Sequence, residues 1–399
     1  MQINKFKVNG NIMALYVFQF SLLQPVASLV NSQLPVAIFT LVLILIMLLN
    51  NNYKIKKYVV YSFVLFTIYF LLNALIFEQS LPIVLSTYFD FALKSFSAII
   101  IGSLTIKSDD IFDIFLKVAV LNFTLIALFP FVKFLDSMNY MRFGYAMIPS
   151  ALMFWMEGAR KRGIAQLSWI GLAIISSFLT VIYGSRGSVV VFLLFILLLF
   201  LFNKKLTIGK RLTVVLFSCG IMYMAFQNNL LIKLANFVNY NLGINSYALE
   251  KFQMMLNTGL LESSSGRDMI YSSIWAYFRL NPLTGYGIGF TELNLGLTAH
   301  NLILQILIES GILGLIIWIV VWGYCLFCYK QISRRPIEGL FLVTTLMISI
   351  SFGRLLVSSD LWLRPEYWFT LSLILNFGYK NENAVAFDSK VGRYFIKSS

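Results

Sequence analysis

His300 is the only histidine in the chain. It stands in Ala299-His300-Asn301-Leu302-Ile303-Leu304-Gln305, and imidazole is the side chain whose ordinary pKa suits a general base near neutrality. Asn301, Gln305 and Glu309 follow at four-residue intervals. On a helix that spacing stacks them into one polar stripe along an otherwise apolar rod. Gly311 and Gly314 then permit close packing. A lone histidine has a structural reading as well as a catalytic one, and residue spacing leaves both open.

The arginines form a second group. Gly184-Ser185-Arg186-Gly187 interrupts an apolar run that otherwise extends from 167 to 202. One reading is a tight hairpin whose Arg186 reaches up to lipid headgroups. The other is an anion site, in which glycines let backbone amides approach a phosphate while the guanidinium grips it with two parallel hydrogen bonds. Arg142 lies in Asn139-Tyr140-Met141-Arg142-Phe143-Gly144, Arg267 opens an amphipathic segment, Arg354 stands near the outer end of the 337–357 apolar run and Arg364 in the outer loop that follows it. Asp90 and Lys94, spaced i, i+4 with the acid first, are expected to neutralise each other. The chain contains no Asp-x-Asp and offers the histidine no metal-binding partner, so no divalent metal and no cofactor is expected. No Gly-rich loop ending in Lys-Ser/Thr provides a seat for a nucleotide.

The elements that must position these groups are read from composition. The 399 residues are 59% hydrophobic and only 12% charged, and mean hydropathy is +0.81. A soluble fold cannot hide that much apolar surface, and a disordered chain needs the opposite balance. The expected class is an all-α polytopic membrane protein of about twelve transmembrane helices with one large structured periplasmic loop. The net charge of +14 is spread in small clusters between spans, a pattern that sets topology and touches anionic headgroups rather than nucleic acid. Cys325 and Cys328, like Cys219, sit in apolar stretches and read as buried filler. The first apolar run lacks a small-residue cleavage site after it, so it reads as a retained span.

At about 20 apolar residues per crossing, the spans fall at 12–30, 34–50, 58–77, 83–104, 111–135, 145–157, 167–183, 188–202, 212–226, 302–329, 337–357 and 367–379. Basic clusters then alternate: Lys5 and Lys7; Lys54, Lys56 and Lys57; Lys107; Arg160 to Arg162; Lys204, Lys205, Lys210 and Arg211; Lys330, Arg334 and Arg335; and Lys380, Lys390, Arg393 and Lys397 in the tail. The positive-inside rule places them, and both termini, in the cytoplasm. The organisation is nine spans over 1–226, an outer loop over 227–300, three spans over 301–379 and a tail over 380–399. Within the loop, Ser263–Gly266 is expected to cap a helix over 267–280 that buries Ile270, Ile274 and Phe278, and Pro282 with the glycines at 285, 287 and 289 ends it. Several arginines on the outer side, against the topology rule, point to a polyanionic ligand such as a lipid-linked pyrophosphate.

These residues resemble a known family. His300-Asn301-x3-Gln305-x3-Glu309-x-Gly311-x2-Gly314 is similar to the C-terminal signature of O-antigen polymerases and ligases. Ser265-Gly266-Arg267 followed by Asn281-Pro282-Leu283-Thr284-Gly285-Tyr286-Gly287-Ile288-Gly289 resembles the segment that precedes that signature. Gly184–Gly187 resembles the earlier arginine motif, and Arg142 with Pro149 a degraded upstream one. The resemblance covers roughly residues 140–325. It implies inverting, metal-independent glycosyl transfer at the outer leaflet of the bacterial inner membrane, with undecaprenyl-pyrophosphate-linked oligosaccharide as donor. His300 would be the base, Arg186 and Arg267 would carry the leaving pyrophosphate, and Arg142, Asn301, Gln305, Glu309 and Arg364 would bind substrate. Loop aromatics would stack on sugars. Membrane lipids and a chain-length regulator protein are the further implied partners. The reading taken is a repeat-unit polymerase; a ligase onto lipid A core and a lipid-linked oligosaccharide transporter are the rivals. A transporter should carry its charges deep along a path, whereas these cluster at one face.

Overall fold

The computed structural model describes residues 2–23, 26–27, 30, 32–128, 140–183, 186–202, 233, 237, 267–335, 337–357 and 360–378. Among them every regular element is helical and no strand occurs. Helices α1 (Gln2–Leu22), α2 (Leu34–Asn50) and α3 (Lys57–Ile76) come first. A single 3₁₀ turn then leads into α4 (Leu81–Asp90), a π-helical turn over Phe91–Ser95 and α5 (Phe96–Gly102). Next come α6 (Ile111–Ala127), α7 (Tyr140–Arg160), α8 (Ile164–Tyr183) and α9 (Arg186–Phe202). The C-terminal part adds α10 (Arg267–Leu280), α11 (Phe290–Leu295), α12 (Leu302–Arg334), α13 (Glu338–Leu355) and α14 (Pro365–Gly378). The ninth expected span, the basic residues 204–211, Cys219, the Ser263–Gly266 cap and the tail lie outside the described residues.

Five of the described helical stretches are long and apolar enough to cross a membrane: Lys57–Ile76, Glu78–Gly102, Ile164–Val181, Leu302–Arg334 and Glu338–Leu355. Leu71, Leu75, Leu167, Ile317 and Val320 are exposed on the outside of the bundle, a surface that only a hydrocarbon solvent tolerates at this extent. This is a multi-pass membrane protein. Boundaries differ from the hydropathy reading in several places; the first helix ends at Leu22 rather than 30, and the one from Leu302 runs on to Arg334 rather than 329. The first helix starts near residue 2 rather than 12, because Asn9 is not a stop: its amide donates to Asn51 Oδ1 at 3.2 Å and to the Thr105 carbonyl at 2.8 Å. The sixth runs 140–160 rather than 145–157, which puts Arg142 inside a helix and not in a loop. Pro149 sits within that helix. One turn before it, Asn122 of α6 donates to the Ala146 carbonyl at 2.9 Å.

The two ends of the bundle differ chemically. At one end, Lys56 bonds Asn376, and Arg160 and Lys161 pair with Glu157 at 3.0 and 3.2 Å. At the other lie the C-terminus of α1, the N-termini of α7, α9, α12 and α14, and the turn over 360–364. Enclosed α13 and α14 form the centre, where Trp362 and Trp368 stack at 5.9 Å among Phe66, Phe70 and Phe91.

Candidate functional site

Helix α12 is broken at Gly311, whose φ of 64° and ψ of −163° leave the helical region. The break is filled by the preceding loop. In an unbroken helix the amides of Ile312 and Leu313 would donate to the carbonyls of Ile308 and Glu309. Here those amides donate to Pro282 and Leu283 at 2.8 and 3.2 Å, while Ile308 and Glu309 accept from Tyr286 and Gly287 at 2.8 and 2.9 Å. These two amides and two carbonyls are satisfied by the Pro282–Gly287 strap, as an apolar environment requires. Only glycine fits at 311, because a Cβ there would stand 2.2 Å from the Leu283 carbonyl oxygen. Asn73 of α3 holds the strap from the far side, accepting from the Ile288 amide at 3.0 Å.

The strap fixes α10. Ile270 and Ile274 are buried against Ala299, Leu304 and Ile308, as the spacing predicts, while Phe278 is only half-buried. Of the loop aromatics expected to face sugars, Tyr286 and Phe290 stack on each other at 4.4 Å, Tyr277 meets both edge-on at 6.0 and 5.0 Å, and Trp275 is exposed. Arg267 is the first residue of α10 and half-buried. His300 immediately precedes the N-cap of α12 with φ of 52°, and its Nδ1 lies 3.1 Å from Thr298 Oγ1. Left-handed backbone at a non-glycine residue is strained and persists where surrounding structure enforces it.

The polar stripe on α12 has structural partners. Asn301 caps the helix, accepting from the amides of Ile303 and Leu304 at 3.0 and 3.2 Å. Gln305 is buried and its amide donates to Glu309 Oε1 at 2.8 Å and to Asp360 Oδ2 at 2.6 Å, while its Oε1 accepts from the Leu361 amide at 2.9 Å. Glu309 Oε2 accepts from the Trp362 indole at 2.9 Å. Asp360 also accepts from the amides of Trp362 and Leu363. Burial holds the Asp360 carboxyl above the usual range, and burial with the nearby Asp360 charge does the same for Glu292. Gln305 and Glu309 thus clamp the turn that leads to Arg364.

Arg364 reaches a cavity of about 340 Å³. Its lining brings together side chains from α1, α7, α13, the π turn and the start of α14: Lys94, Arg142, Tyr145, Pro149, Arg354, Arg364 and Glu366 among others. Four cationic side chains face one carboxylate. Arg354 Nη1 donates to Glu366 Oε1 at 2.9 Å and its guanidinium lies over the Tyr145 ring at 4.6 Å. Lys94 keeps its expected partner, Asp90, at 2.8 Å, across the π turn. Arg364 Nε is buried and makes no hydrogen bond; burial and the Arg354 charge push its pKa down to about 10, so it stays charged at neutral pH. A partly buried excess of positive charge favours binding of an anion.

Of the residues singled out in the sequence, Arg142, Arg354 and Arg364 converge here, with Pro149 beside Arg142. Arg186 opens α9, and the next residue, Gly187, lies against Tyr145 of the cavity wall. His300, Arg267 and the α12 stripe do not line the cavity; of these, Gln305 and Glu309 bond Asp360 and Trp362 in the turn that leads to Arg364. Asp360, Trp362, Tyr145 and Glu366 were not singled out. The density of charge in Asp360-Leu361-Trp362-Leu363-Arg364-Pro365-Glu366 is the signal that points to three of them.

Residues 171–319 match the family model described as O-antigen ligase. The match contains Arg186, Arg267, His300, Asn301, Gln305 and Glu309, and leaves Arg142 and Arg364 outside. No curated protein matches the chain.

Proposed function

We propose that this chain, whose residues 171–319 match the family model described as O-antigen ligase, is a member of the O-antigen polymerase and ligase superfamily and a repeat-unit polymerase of a surface polysaccharide. It joins glycan units carried on undecaprenyl pyrophosphate, without a metal, at the outer face of the bacterial inner membrane, with both termini in the cytoplasm. The observation that carries this reading is the convergence of Arg142, Arg354 and Arg364 in one cavity beside the N-terminus of α9.

A hydroxyl of the acceptor unit attacks the anomeric carbon of the donor from the face opposite the pyrophosphate. The new glycosidic C–O bond forms as the old C–O bond to pyrophosphate breaks. His300 takes the hydroxyl proton, and the leaving pyrophosphate keeps the bonding electron pair. Arg186 and Arg267 meet the charge it gains, the largest electrostatic demand of the reaction, with Arg142 and Arg364 holding the same group. Asn301 fixes the start of α12 beside His300, and Gln305 and Glu309 hold the turn that carries Arg364.

A strain lacking the protein tests this reading. Surface glycan reduced to a single repeat unit on its final carrier supports polymerisation. Long chains left on lipid pyrophosphate instead identify the ligase named by the family model's description.

A further inference from the structure

Glu366 is the one carboxylate among the residues lining the arginine cavity. It stands in the first turn of α14, behind Pro365. Only one of its oxygens is engaged by a hydrogen bond: Oε1 accepts from Arg354 at 2.9 Å, whereas Oε2 is buried and accepts none. A buried carboxylate oxygen without a donor is disfavoured, although three further cations, Lys94, Arg142 and Arg364, line the same cavity. A carboxylate kept only to neutralise them would be saturated by them. Glu366 instead resembles a monoanion occupying part of a place shaped for a larger, more highly charged one.

We propose that Glu366 is an internal anion that competes with the diphosphate of the lipid-linked glycan for Arg354. This rests on the reading above that the cavity takes a diphosphate. Carboxylate and phosphate oxygens present the same face to a guanidinium. Arg354 is paired with Glu366, and the Tyr145 ring holds the guanidinium in place as it changes partner. An incoming diphosphate draws Arg354 away; when the glycan has been transferred, Glu366 reclaims it and the carrier leaves. Without such a competitor, a ring of four cations would bind the spent carrier as firmly as the donor, and uniform binding of that kind does not raise turnover.

The test uses the full-length protein in nanodiscs, as wild type, Glu366→Gln and Glu366→Asp, with inorganic pyrophosphate as the probe. Removing the charge should tighten pyrophosphate binding about tenfold or more, and added undecaprenyl pyrophosphate should inhibit turnover more strongly than in wild type. Glu366→Asp keeps the charge but shortens the reach, so it should give a smaller gain in the same direction. If Glu366→Gln fails to fold, that second variant decides by itself. Unchanged or weaker binding in a folded variant overturns the role of Glu366 alone. A wild type that binds no pyrophosphate removes the diphosphate reading of the cavity with it.

Discussion

Tyr145 lies against Gly187 so closely that a Cβ on that glycine would stand 2.1 Å from the tyrosine hydroxyl oxygen. The absence of a side chain at 187 lets the start of α9, with Arg186, approach the wall of the arginine cavity. Gly187→Ala should therefore push the two apart at a cost of about 1–3 kcal/mol and reduce glycan polymerisation at least about tenfold. Tyr145→Phe in the same chain removes the nearest atom and should restore part of the activity. A Gly187→Ala protein as active as wild type would place Arg186 outside the site.

The exchange of backbone bonds at Gly311 predicts a stability effect. Gly311→Ala meets both a left-handed backbone and the Leu283 carbonyl, and should cost about 3 kcal/mol or more. Thermal unfolding of the purified protein in detergent, followed by tryptophan fluorescence, should show a clearly lower transition. Gly323→Ala, where a Cβ meets nothing within 4 Å, is the control and should melt like wild type. Equal transitions in the two variants would mean that the strap does not depend on the break.

How much of this was legible beforehand follows from the kind of signal involved. The helix over 267–280 with Ile270 and Ile274 inward, the 34–50 span and the Asp90–Lys94 pair are local features that neighbouring residues specify. The cavity is not local: Arg142 and Arg364 meet only because α7 and α14 pack around α13. Nearly every face of these helices is apolar, so periodicity does not tell which face turns inward. The α12 stripe was visible as a stripe, but its partners, Asp360 and Trp362, lie more than fifty residues away.

Asp360 gives a pH prediction. Its folded-state pKa is raised, chiefly by burial, so its contribution to stability is fully present below the unfolded value and is lost as pH rises through the folded one. Asp360→Asn lacks that loss. The melting temperature of the variant minus that of wild type should therefore increase as pH is raised from about 4 towards the raised value. A difference that falls with pH would mean that the carboxylate is held as an anion.

His300→Ala should lower turnover by roughly 10²–10⁴-fold while leaving binding of the lipid-linked donor close to wild type. Equilibrium binding of a fluorescent donor analogue beside single-turnover rates separates the two effects. Loss of binding with the rate per bound donor unchanged would assign His300 a structural role.

The most direct measurement gives the purified protein one defined lipid-linked repeat unit, in buffer containing a chelator, and resolves the products by size. The account predicts a ladder of glycans on the lipid carrier, with one undecaprenyl pyrophosphate released per bond formed, and no ladder from Arg142→Lys, Arg364→Lys double-substituted protein that remains folded. Absence of any product longer than the starting unit from the wild type, with transfer seen only when lipid A core is supplied, would contradict it.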